Sequence, residues 1–208
     1  MPLQNRVMPW GEIVAVAARG TLMGNRGVLH DARRELGKAR WRHPHWVACV
    51  LSFRGRHRRV MAPGRYTELF FLDEAVALAA GHRPCAECRR LDFRRFAACW
   101  QAAFGGERPR AGDIDRELHR ARVEPRTRQQ IRHTAPLASL PEGVFVRLAE
   151  DGPALLVLED ALLPFAPEGY GVLLPRPESA TAEVLTPAPT VAVLAACYRP
   201  ILHPSARA

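Results

Sequence analysis

The stretch GHRPCAEC, residues 81–88, places Cys85 and Cys88 three positions apart, just after a glycine and a proline. A turn of this length brings two sulfurs close enough for either of two chemistries. Two thiolates can bind one side of a tetrahedral metal such as zinc. Alternatively, a dithiol at a helix start can cycle through a disulfide. The redox use wants a strand leading directly into the motif, whereas here the pattern predicts a helix that ends at Gly81. Zinc is therefore the favoured chemistry, with Cys85 and Cys88 as ligands. A helix connection with incidental thiols is the plain alternative. Arg83, Arg89 and Arg90 flank the pair and would favour thiolates.

A tetrahedral site needs further donors. Cys49, in HPHWVACV, is the best third ligand, and His30, His45 and His57 are further candidates. His45 and Cys49 cannot both serve if 45–53 is one extended strand. Residues four apart would then stand about 13 Å apart, far beyond two bonds of about 2.0–2.3 Å to one ion. Either the strand starts near Val47, or only one of the two is a ligand. The plain alternative for Cys49 is a small buried hydrophobe beside Val47, Leu51 and Phe53. Cys99 and Cys197 lie on apolar helix faces and read as core. Five cysteines, an odd number, do not suggest a disulfide framework.

The elements that must position these residues follow from pattern. GEIVAVAARGTLMG (11–24) predicts two strands around Arg19-Gly20, HWVACVLSF (45–53) a buried strand, and YTELFFL (66–72) a third. Asp73 then caps a helix of Ala and Leu that Gly81 stops. RRLDFRRFAACWQAAFGG predicts a second helix, with Leu91, Phe96, Cys99, Trp100 and Phe104 at helical spacing. GDIDRELHRAR (112–122) predicts a third, capped by Asp113. From about 136 the texture changes. GVFVRLAEDGPALLVLED (143–160) predicts a hairpin with an Asp-Gly turn. YGVLLPRP and AEVLTP add short strands, and APTVAVLAACY (188–198) a final helix. The expected fold is α+β. A small mixed or antiparallel sheet carries a zinc-knuckle-like Cys-x-x-Cys turn between two helices, and a β-hairpin-rich C-terminal part follows. The expected division is 1–135, basic and metal-binding, and 136–208, acidic and β-rich, with the two parts able to pack as one domain.

FFLDEAVALAAGHRPCAEC (70–88) resembles the second half of the zinc-binding domain of Ada-type DNA-repair proteins, a domain also appended to some nucleases. The likeness covers about 20 residues: a strand, a helix like EALAAG, an aromatic-Arg-Pro-Cys step with His82 at the aromatic position, and the second cysteine. It implies a structural zinc held in part by Cys85 and Cys88. The family's first ligand pair, overlaid without gaps, falls on Arg54 and Arg58, which cannot bind metal. Methyl-acceptor chemistry belongs to that first pair.

Charge points the same way. Of 30 basic residues, 26 lie in 1–140 with 13 acids, a net +13, and 141–208 carries −4. Arg54, Arg56, Arg58 and Arg59 crowd one turn, and Arg116 and Arg120 share a helix face, an arrangement suited to phosphates. Trp41 and Trp46 could stack on bases. Since Lys38 is the only lysine, a GC-rich genome is the competing explanation of the arginines. Asp113, Asp115, Glu117 and His119 on one helix raise a metal-dependent nuclease as an alternative, although capping and intrahelical pairing account for them as well. No window approaches a membrane span, and the N-terminus lacks a secretory pattern. The sequence reading is thus a cytoplasmic, bacterial-type protein that binds nucleic acid, with DNA ahead of RNA, and carries zinc. Its alternatives are a nuclease with a structural zinc module and a metal-free interaction module. Pattern alone assigns no catalytic residue and no oligomeric state.

Overall fold

The computed structural model describes residues 1–56 and 59–207. Two sheets and four α-helices make a mixed α+β fold. The first sheet holds β1 (Arg6–Val7), β2 (Ile13–Val14), β3 (Leu22–Asn25), β4 (Val47–Val50), β5 (Leu69–Phe71) and β6 (Arg83–Pro84) in the order β2-β1-β5-β3-β4-β6. It is mixed: β1 runs parallel to β5 and β4 parallel to β6, and the other pairs are antiparallel. The second sheet is antiparallel. It holds β7 (His133–Pro136), β8 (Phe145–Arg147), β9 (Leu155–Val157), β10 (Ala161–Ala166), β11 (Gly169–Tyr170) and β13 (Thr181–Val184), with β12 (Leu174–Pro175) on β10. The helices are α1 (Glu74–Ala79), α2 (Arg90–Phe104), α3 (Ala111–Arg122) and α4 (Ala188–Ala196).

The runs GVFV (143–146) and ALLVL (154–158) are apolar without interruption, which suits a strand buried on both faces. Successive side chains in a strand point to opposite sides. Accordingly Val144, Val146, Leu155 and Val157 join Phe96, Trp100, Ile114, Leu118 and Leu194 of the helices in one core. Phe145, Leu156 and Leu163 join Val7, Leu69, Phe71 and the alanines of α1 in the other. Both cores draw on residues from either side of 135.

The Asp73 carboxylate accepts the Val76 N–H (3.0 Å) and so caps α1, whose six residues are all buried. Gly81 follows at φ +83, the left-handed conformation that ends a helix without a Cβ penalty. A Cβ there would also stand 2.6 Å from Cδ of Arg122. Gly81→Ala is expected to cost at least about 1–2 kcal/mol from the backbone alone, and more from the contact. A urea titration of the variant beside the wild type measures it.

Several expectations shift. β4 begins at Val47, which leaves His45 outside the strand. A two-residue strand, β6, separates α1 from the cysteine turn, so that turn does not join two helices directly. The two strands expected across Arg19-Gly20 do not pair with each other: β2 pairs with β1, and β3 lies between β4 and β5. Asp113 serves α3 as its third residue, accepting the Arg110 N–H (3.1 Å), and is not the cap. Leu91 and Phe104 are exposed on α2, and the buried stripe is Phe96, Ala97, Cys99 and Trp100. Cys197 is exposed just past the end of α4 and is disulfide-bonded to Cys99, with Cα atoms 5.5 Å apart. Cys197 is the residue at which the chain leaves α4, and its sulfur reaches the buried Cys99 of α2. Among the described residues no helix is long and apolar enough to cross a membrane.

Candidate metal centre

β4 and β6 run side by side, with Ala48 in register with Pro84. The pairing extends one step further, as the Cys85 N–H donates to the Ala48 carbonyl (3.0 Å). This sets Cys85 next to Cys49, and the turn that follows returns Cys88 to the same place. The three sulfurs lie within 4.8 Å of one another, and all three cysteines are free and half-buried. The edge of a tetrahedron with metal–sulfur bonds of about 2.3 Å is about 3.8 Å, so the trio is spaced to close on one ion with little movement.

The polar environment favours a thiolate at Cys85. The Glu87 N–H points at Cys85 Sγ (3.4 Å), and the Val50 backbone amide serves Cys88. Hydrogen bonds from Cys49 and then Cys88 push the Cys85 thiol far down, toward thiolate. Cys49 is pushed up by its bonds to Cys85 and Cys88 and by burial. Cys88 is pulled down by Cys49 and pushed up by Cys85 and burial, with a net rise. The sulfurs thus shift one another in opposite directions, and metal binding would favour the thiolate form of all three. The donor set fits a soft or borderline metal such as zinc.

Of the three flanking arginines expected to favour the thiolates, Arg90 is exposed, and Arg83 and Arg89 are committed elsewhere. Arg83 makes a two-pronged pair with buried Asp115 (2.9 and 2.8 Å), and Arg89 pairs with Glu74 (2.8 Å) and Asp92 (2.9 Å). His30 is held by the Thr67 hydroxyl (2.7 Å) and the Ala62 carbonyl (3.2 Å), and His45 by Asp115 (2.8 Å). Neither joins the sulfurs. His57 and Arg58 lie outside the described residues.

Arg54, Arg56 and Arg59 are exposed, and Arg54 and Arg56 lie over the Phe53 ring (5.0 and 5.4 Å). Arg56 pairs with Glu87 of the cysteine turn (3.1 Å), which ties the basic loop to the cluster. Arg116 and Arg120 are exposed on α3 and pair with Asp113 (2.5 Å) and Glu117 (2.7 Å). Trp46 is buried at 2% exposure and is not available to stack on a base, while Trp41 is half-buried. Asp115 and His119 do not converge. Asp115 faces Arg83 and His45, whereas His119 sits against Trp41, Trp46 and Arg122. His82 packs as an aromatic between Phe71 (4.6 Å) and Trp46 (5.3 Å), and burial with Arg26 and Arg122 nearby holds it neutral.

The sequence reading passed over Arg26 and counted Arg122 only among the basic residues of 116–133; both are buried against Trp46. They lie far apart in the chain, and no spacing signals that they meet. The only local hint is Arg26 next to the glycine of NRG.

Fold and site define an α+β protein with a three-cysteine cluster able to hold a metal. The chain matches no family model, no curated protein and no solved structure. The Ada-type resemblance therefore rests on residues 70–88 alone.

Proposed function

We propose that the protein binds nucleic acid, DNA before RNA, and that Cys49, Cys85 and Cys88 hold a structural zinc ion. The observation that carries the metal is the meeting of three free sulfurs within 4.8 Å, from a strand and a turn far apart in sequence. Zinc bound there would supply a rigid link between β4 and the turn before α2. The nucleic-acid reading is supported by the +13 balance of residues 1–140 and by the exposed arginines beside the cysteine turn. The nuclease alternative is the weaker one, because both oxygens of Asp115 are already engaged.

Binding of a mixed duplex, measured across salt concentrations, tests this. Affinity is expected to fall steeply with salt as phosphate contacts release counterions. The joint change of Arg54, Arg56, Arg58 and Arg59 to Gln is expected to flatten that slope by up to about four contacts. Binding that is salt-independent, or indifferent to the four changes, would overturn the reading in favour of an interaction module. Cleavage on adding Mg²⁺ that Asp115→Asn abolishes while the protein stays folded would turn it to a nuclease.

A further inference from the structure

A cavity of about 550 Å³ opens between the Trp10–Glu12 turn, the 38–41 loop, the end of α3 and the 127–132 segment. Its floor is unusual. The Arg26 and Arg122 guanidinium carbons stand 4.0 and 3.9 Å from the centroid of the Trp46 ring, and both arginines are almost fully buried, at 2% and 1% exposure. Neither pairs with a carboxylate among the described residues. Arg26 donates to His82 Nε2 (3.4 Å) and to the Gly11 and Ala80 carbonyls (3.2 and 3.3 Å), all long bonds. Arg122 donates to the Gly81 and Pro44 carbonyls (2.6 and 2.5 Å) and contacts His119, while its Nε has no partner. A guanidinium carries five N–H donors, so each has donors to spare. The nearby carboxylate, Asp115, is already taken by Arg83 and His45.

A buried charge without a counter-ion is costly. Burial, together with Arg40, pushes the Arg26 guanidinium down to about 9, and burial with Arg26 depresses Arg122 well below its ordinary value. Two cations held this way against an indole gain most from an anion that accepts from their spare N–H donors on the cavity side. The rim repeats the sign. Lys38, Arg40, Arg128 and Arg132 line it, against the single acid Glu12, which is bonded to the Trp10 indole (2.7 Å). Among the described residues, Arg132 alone of the four is offset, by Glu183 (3.2 Å). So many cations around one acid suit a polyanion better than a lone carboxylate. The volume falls in the range of ligand pockets, about 300–1,000 Å³, and the half-buried rings of Trp10 and Trp41 offer a planar group a surface.

We propose that this cavity binds the phosphates of a nucleotide, with the phosphates on Arg26 and Arg122 and the base toward Trp41 and Trp10. Arginine forks match phosphate oxygens in pairs. None of the described residues of the 54–59 stretch lines the cavity, so this proposal stands independently of duplex binding there. The phosphates could belong to a free nucleotide or to the 5′ end of a strand.

Tryptophan fluorescence and the thermal midpoint, followed on adding inorganic phosphate, a nucleoside diphosphate, and a short oligonucleotide with and without a 5′-phosphate, test the proposal. The diphosphate is expected to quench fluorescence and raise the midpoint more than inorganic phosphate does. A preference for the 5′-phosphorylated strand over both the 5′-hydroxyl strand and the free diphosphate identifies a strand end as the source. The reverse preference identifies a free nucleotide. Because Arg26 and Arg122 variants can fail to fold, the surface variant Lys38→Gln/Arg40→Gln is the second arm. It is expected to fold normally and bind about tenfold more weakly at low salt, since two exposed charges are removed. No response to any phosphate, or binding unchanged in the rim variant, would overturn the proposal.

Discussion

Cys49→Ser is expected to reduce bound zinc from one per chain to a small fraction, and to lower stability to that of chelator-treated wild type. Serine keeps the side chain's size but offers no thiolate, so β4 can still pair with β6 while the cluster loses its third sulfur. The ion would bind the folded state, in which the three sulfurs lie within 4.8 Å, far better than an unfolded chain in which they are scattered. At free metal about a thousandfold above its dissociation constant, mass action adds about 4 kcal/mol. That amount should vanish in Cys49→Ser, Cys85→Ser and Cys88→Ser alike. Metal content by mass spectrometry and urea unfolding with and without chelator give the result. Full zinc in purified Cys49→Ser protein would remove Cys49 from the site. Sub-stoichiometric zinc in wild type purified without chelator would remove the site itself.

The cluster was legible in part because the Cys-x-x-Cys spacing is local. Cys49 was legible as the third sulfur, but the strand argument against His45 does not apply, since the strand starts only at Val47; it is the bond to Asp115 that takes His45 away. The helices were legible from their punctuation: Asp73 and Gly81 frame α1, and Gly105 follows α2. What could not be read was which strand pairs with which. β1 and β6 are two residues each and carry no period to detect. β6 nonetheless sets the position of Cys85. The Cys99–Cys197 bond also escaped, because an apolar helix face looks alike whether or not a sulfur on it finds another. In the sequence Arg83 read as a partner of the thiolates, and Arg26 and Arg122 as two more arginines of a basic chain. Only the fold separates them: Arg83 has a buried carboxylate, and the other two have the Trp46 ring and, among the described residues, no paired acid. A count of charges speaks for polyanion binding in general, and burial decides which of those charges are held in place.

Asp115→Ala is expected to be among the most damaging single changes away from the cysteines. Asp115 is 1% exposed, and its oxygens take both prongs of Arg83, whose side chain is 5% exposed, as well as His45. Removing the carboxylate leaves a guanidinium buried without its partner, at a cost of about 3–5 kcal/mol. For a chain of this size that is a fall of roughly 6–20 °C in thermal midpoint, at about 2–4 °C per kcal/mol. Because the pair anchors β6, and β6 leads directly into Cys85, the variant should also release zinc to a chelator faster than wild type. Arg83→Met/Asp115→Leu replaces the pair with apolar groups of similar size and is expected to regain most of the stability. Asp115→Asn separates the structural role from a catalytic one. A neutral amide cannot answer the Arg83 charge, so Asn should destabilise nearly as much as Ala and slow no reaction beyond its loss of folded protein. A stable Asp115→Asn protein that has lost an Mg²⁺-dependent cleavage would reverse this assignment and make Asp115 part of a nuclease site.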